Sequence, residues 1–232
     1  MEFDLIIIKF LIFLGLLSFA SMQDVRSRYI NDIIWVIAAI ALAPILFFEI
    51  FIGEFDLFAT ILSVIFAVGV AYPLSRIGFL GQADVFALAL LALYMPTLNK
   101  ELLSLPVLAV IANAGIFSLL GIFVNLSRNL FMLLQDKEIF RGFEEEPRHR
   151  KIVAMFLGYR TETAAKLVLP MESRIDGKRK FDFDAWRSSS DFAVENDIWI
   201  TPALPFIVYI TAGYIFLFFV GDILHMFKSL VF

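Results

Sequence analysis

The sequence contains no cysteine, which excludes disulfides, thiol nucleophiles and cysteine-held zinc together. It has only two histidines, so a histidine-rich metal site is not expected, and nothing in the residue types calls for a cofactor. Excess positive charge is missing too. A formal net charge of −4 offers no basic footprint for nucleic acid. The N-terminus lacks the basic region of a secretory leader. Met1 to Asp4 carries acid, and no small-residue cleavage site follows, so the first segment reads as a retained helix.

Apolar surface is abundant. Hydrophobic residues make up 60% of the chain, with 27 phenylalanines, and the mean hydropathy is +0.85. A soluble domain of this size has no interior large enough for so much apolar surface, so lipid must act as part of the solvent. A spanning helix needs about 20 apolar residues, and six runs approach that length: Phe3–Met22, Ile33–Ile52, Phe55–Leu74, Ala83–Leu98, Leu102–Leu126 and Ile200–Leu224. Between the last two lies Ser127–Trp199. It carries 13 of the 19 basic and 13 of the 23 acidic residues, so its own charge cancels and it cannot span. The expected fold is an all-α polytopic membrane protein of six transmembrane helices with a small mixed α/β cytoplasmic domain between the fifth and sixth. The expected divisions are 1–126, 127–199 and 200–232.

The distribution of Lys and Arg orients this arrangement. Arg26, Arg28 and Arg76 fall in loops on one side. Glu49, Glu54, Asp56 and the Lys100–Glu101 pair fall on the other. The expectation is a plasma-membrane protein with both termini outside and the polar domain in the cytoplasm. Lys9 fits poorly inside the first run, where its stem would have to reach the outer interface. The fourth run is short: Asp84 to Met95 gives only about 18 Å of helix. The preceding Ser75–Gln82 stretch holds Gly78 and Gly81, and reads as a re-entrant or partly unwound segment lining a wet cavity. In the polar domain, Glu172–Phe183 reads as a hairpin turning at Asp176-Gly177. Ile152–Tyr159 and Ala164–Leu169 are apolar enough to pack on it.

Ionisable groups beside long apolar runs are costly and mark candidate sites. Asp24, Asp32, Asp84 and Asp222 qualify. Asp24 ends the first helix and Asp84 opens the fourth, both on the cytoplasmic side. Asp222 lies about 33 Å further along the sixth run and cannot share their site. Two carboxyls close together can share a proton, because like charges a few ångströms apart resist joint ionisation. Such a pair supplies a base to activate water and an acid to protonate an oxyanion without metal or cofactor. Which of the two plays base is open, since these are properties of the pair.

Three stretches carry a family resemblance. They are Gln23-Asp24-Val25-Arg26-Ser27-Arg28 with Ile30, Asp32 and Trp35; Gly81-Gln82-Ala83-Asp84; and Trp199-Ile200-Thr201-Pro202-Ala203-Leu204-Pro205. In order and spacing the chain resembles archaeal preflagellin peptidases, within the type IV prepilin peptidase group of membrane aspartyl proteases. The resemblance implies that Asp24 and Asp84 are catalytic, with Gly78, Gly81, Gln82 and Ala83 as their local support. It implies removal of short basic leader peptides from preflagellin precursors. Ala83 stands where the usual Gly-x-Gly-Asp motif has its second glycine.

Blander readings stand beside these. Asp24 would pair with Arg26 or Arg28 at the interface, Asp84 would be an N-cap, and Gly78 and Gly81 would be turn residues. Arg26 and Arg28 would set topology and bind lipid headgroups. Glu144-Glu145-Glu146 would be a solvated run, and Trp35 and Trp199 would join an aromatic belt. The alternative functions are a prepilin peptidase of the same chemistry, a small proton or cation transporter, and an assembly scaffold. The sequence does not indicate an oligomeric state.

Overall fold

The computed structural model describes residues 2–97, 105–162, 168–175, 177–183, 196–202 and 205–223. Several residues named above lie outside that set: Met1, Leu98, Lys100 and Glu101, 102–104, 164–167, Asp176, Ala203, Leu204 and Leu224. The chain divides into two compact units, one of Met1–Phe117 with Pro205–Phe232 and one of Ser118–Leu204.

The first unit is helical. It holds α1 (Glu2–Ser27), α2 (Ile33–Phe51), α3 (Leu57–Arg76), α4 (Gln82–Tyr94), the first part of α5 (Pro106–Leu134), and α7 (Phe206–Phe219). Helices α1, α2, α3 and α5 are long and apolar enough to cross a membrane. The other two expected runs form shorter apolar helices: α4 has 13 residues and α7 has 14. At about 1.5 Å per residue each extends roughly 20 Å, against a hydrocarbon core of about 30 Å. The start of the expected sixth run is not helix. Ile198–Pro202 is a strand, and Asp222 follows the end of α7 instead of lying within a long helix.

The turns explain where the helices stop. Gly78 has φ +84, the left-handed conformation that glycine enters without a Cβ penalty. The Phe79 amide donates to the Leu74 carbonyl at 2.9 Å, and the Gly78 amide to that of Ser75 at 3.0 Å. This pair of bonds is a Schellman cap. The expected re-entrant segment is therefore a tight helix-capping turn in which Gly78 satisfies the last carbonyls of α3. Gly53 closes α2 in the same way, with the Glu54 amide on the Glu49 carbonyl at 2.9 Å.

The unit's core packs Phe13, Leu17 and Ala20 of α1 with Leu88, Leu91 and Ala92 of α4 and Ile207, Ile210 and Tyr214 of α7. Phe10 stacks on Phe218 at 3.8 Å between centroids, and Ser21 and Thr211 share a hydrogen bond of 2.8 Å. Together these contacts make α1 and α7 antiparallel. Gly213 allows α7 to approach the backbone of Val110 and Ala114 on α5, the small-residue contact common where helices meet in lipid. Trp35 is buried in this core rather than placed in an aromatic belt.

The second unit joins the remainder of α5 to α6 (Arg148–Leu157) and five short strands, β1 (Tyr159–Thr161), β2 (Val168–Pro170), β3 (Glu172–Ile175), β4 (Lys178–Phe181) and β5 (Ile198–Pro202). β5 lies between β1 and β2, antiparallel to both. β3 and β4 form the expected hairpin, with Gly177 at φ +74 in the connection. Trp199 is fully buried, its Nε1 donating to the Ile139 carbonyl at 3.1 Å. The aromatic-belt expectation fails for this residue because its alternating strand places it in a protein core. The Glu144–Glu146 run is not uniformly solvated either. Glu146 is buried, accepts from the Phe181 amide and pairs with Arg150.

Candidate active site

Asp24 lies in the last turn of α1. The helix closes on Arg28, a non-glycine residue at φ +55 whose amide donates to the Asp24 carbonyl at 2.9 Å. This left-handed cap turns the chain, and the Arg28 side chain comes back onto the helix end. Its Nη1 lies 4.0 Å from Asp24 Oδ1. Its Nε and Nη1 are shut off from solvent and have no hydrogen-bond partner among the described residues. Nearby, Gln23 Oε1 accepts the Asn31 amide at 3.2 Å, fastening the α1–α2 connection to the same turn.

Asp84 is reached through α4. Gly81 is the N-cap, at φ −78 and ψ 164, so Asp84 is the third helical residue and not the cap itself. Its Oδ2 accepts the Gly81 amide at 2.8 Å. The residue is only 5% exposed, and the backbone bond compensates one of its oxygens for lost water. Ala83 sits inside the first turn, where a helical backbone makes no demand for glycine; Gln82 beside it is exposed. The carboxyls of Asp24 and Asp84 come from elements far apart in sequence and lie within electrostatic range of each other.

Other candidates fall elsewhere. Asp32 precedes α2 without capping it; Asn31 Oδ1 takes the Ile33 amide instead, at 3.0 Å. Asp222 follows α7 at the end of that helix packed against Phe10, the opposite end of α1 from Asp24. Among the described residues no three His, Cys, Asp or Glu side chains gather as a metal site.

Of the two arginines that the blander reading offered Asp24, the structure places Arg28 beside it. Its signal was the spacing: four residues after Asp24, Arg28 returns to the same helix face.

A family model described as Archaeal Peptidase A24 C-terminus Type II matches residues 171–223. This supports an archaeal preflagellin peptidase of the type IV prepilin peptidase family. The match covers the β3–β4 hairpin, β5 and α7, and the family is one of peptidases. Asp24 and Asp84 lie outside the matched residues. A search of curated proteins finds no match.

Proposed function

We propose that this chain is a membrane aspartic endopeptidase that removes the short basic leader from preflagellins, with Asp24 and Asp84 as its acid–base pair. The observation that carries this reading is the approach of two carboxyls from α1 and α4, one half-buried and one buried, to within electrostatic range. The peptidase family match supports the reaction class.

In this mechanism one aspartate is ionised and accepts a proton from water as the water oxygen bonds to the scissile carbonyl carbon. The other is protonated and donates to the developing oxyanion. Collapse of the tetrahedral intermediate breaks the C–N bond, and the departing amine takes up a proton from the pair. Neither step needs a metal or a nucleophilic side chain. The active face would lie on the cytoplasmic side, given the loops that carry Arg26, Arg28 and Arg76.

The test is cleavage of a preflagellin by membranes carrying wild type, Asp24→Asn or Asp84→Asn, read as a gel shift. Each variant is expected to lose at least about 10²–10⁴-fold in rate, the range for general acid–base groups, while keeping its thermal melt and insertion. Retained cleavage in either variant overturns the pair. A prepilin precursor run in parallel separates the two substrate classes, and activity is expected to persist in EDTA.

A further inference from the structure

Lys9 fits poorly inside the first apolar run, and its side chain is enclosed by protein at the ends of two other helices. It is only 7% exposed. Its Nζ lies 2.5 Å from Glu49 Oε1 and donates at 2.7 Å to Glu49 Oε2 and at 2.7 Å to the Tyr94 carbonyl. Lys9 belongs to α1 and Glu49 to the last turns of α2, while Tyr94 is the final residue of α4. The Tyr94 hydroxyl adds a bond to the Ala39 carbonyl of α2 at 3.0 Å. Three helices are tied at one level.

The chemistry of the tie suits its place. The last carbonyls of a helix have no intrahelical donor and carry the negative end of its dipole. An ammonium satisfies both needs at Tyr94, and Glu49 neutralises the ammonium. Buried ion pairs of this kind contribute little net stability compared with a well-packed apolar pair, and their best-attested use is to specify register.

Beyond the short turn from α3 and the Tyr94 hydroxyl bond to Ala39, little marks the register of α4. The residues it buries are chiefly Ala and Leu: Ala87, Leu88, Leu91 and Ala92. Packing of this type against other apolar helices in lipid gains nothing from the hydrophobic effect, because the lipid tails are equally apolar, and rests on van der Waals contact. A slip of one turn displaces a helix by about 5.4 Å, enough to separate a carboxyl pair. Roughly 22 Å of α1 lies between Lys9 and Asp24, and roughly 15 Å of α4 between Tyr94 and Asp84. The lysine stem makes up much of the difference, so the tie at Tyr94 holds α4 at the end away from Asp84.

We propose that the Lys9–Glu49 pair is a register clamp that holds α4 at the depth where Asp84 faces Asp24. Its importance for catalysis rests on the proteolytic reading above; its effect on helix position does not. Lys9 and Glu49 are positioning residues, distant from the reacting atoms.

The experiment replaces the pair by apolar residues in the full chain, Lys9→Met with Glu49→Leu, in lipid nanodiscs. Spin labels on Met22→Cys and Phe86→Cys, both exposed positions in a chain free of other cysteines, report the position of α4 against α1. The double variant is expected to keep a melting temperature near wild type while its distance distribution broadens or shifts by several ångströms. Its kcat for preflagellin falls about tenfold or more, with KM within about threefold. A distribution as narrow as wild type, at the same distance, overturns the clamp. If the double variant does not fold, Lys9→Met with Glu49→Gln, which removes the ammonium and leaves no buried charge, is read by the same distances with the same two outcomes. Failure of the Asp24→Asn and Asp84→Asn variants to lose activity would remove the proteolytic reading but leave the distance result standing.

Discussion

The Gly81 amide donates to Asp84 Oδ2 at 2.8 Å, so the helix N-cap holds the candidate catalytic carboxyl by a backbone bond. The role of this glycine is its N–H and not its φ, which at −78 is ordinary for any residue. A Cβ at Gly81 would meet Asp84 Oδ2 at 3.4 Å, an ordinary contact.

Gly81→Ala is therefore expected to keep cleavage within about threefold of wild type. Gly81→Pro removes the donor and leaves a buried carboxylate oxygen unpaired, at a cost of about 1–3 kcal/mol. Side-by-side kinetics check this, and equal loss in both variants would show that chain flexibility matters rather than the hydrogen bond.

Arg28 is expected to contribute to the reaction as well as to topology. Its buried, unpartnered Nε and Nη1 stand beside Asp24, and hydrogen bonds involving a charged donor are worth about 1.5–3 kcal/mol. Arg28→Gln should lower kcat/KM by about 10–100-fold, with Arg28→Lys intermediate. If Arg28 acts on topology alone, both variants will cleave at the wild-type rate once correctly inserted molecules are selected.

In the second unit, Gly158 ends α6 where the chain passes directly over β5. A Cβ there would collide with the Ile200 carbonyl and the Met171 sulfur. Gly158→Ala is expected to destabilise this unit by about 3 kcal/mol, the upper part of the range for overpacking. Proteolytic susceptibility within residues 118–204 should rise, while the helical unit keeps its melt.

Acid should loosen the same unit. Arg160 binds Asp197 through bonds of 2.6 and 2.8 Å, and Arg179 adds a further contact at 3.2 Å. The Arg160 hydrogen bonds, followed by the charges of both guanidiniums, hold the Asp197 carboxyl below the usual carboxylate range. A carboxyl lowered in the folded state binds fewer protons there than in the unfolded chain. Its stabilisation is complete above about pH 4, the ordinary carboxylate value, and is lost as pH falls through the lower folded value. Asp197→Asn should remove this contribution at neutral pH and flatten the acid side of the stability curve, measured by melts from pH 7 to pH 3.

Much of the fold was legible because apolar period and turn chemistry are local. The runs near 3–22, 33–52 and 55–74 became α1, α2 and α3, and the Asp176-Gly177 pair announced the β3–β4 hairpin. The errors came where local signals were ambiguous. Ile200–Pro202 is as apolar as a helix start, yet its β-branched residues pair with β1 and β2. Gly78 and Gly81 looked alike in sequence, but only Gly78 adopts the left-handed conformation.

The sequence by itself determined that lipid surrounds most of this chain and that a few acids stand out against it, because composition and run length do not depend on how helices pack. Only the tertiary structure decided what surrounds each acid. It set Asp24 within electrostatic range of Asp84, put Asp222 at the other end of α1, aimed Arg28 back at Asp24 and enclosed Lys9 with Glu49 and Tyr94. The reason is physical: these relations join residues on different helices, and they depend on packing depth and rotation, which no local pattern of residues encodes.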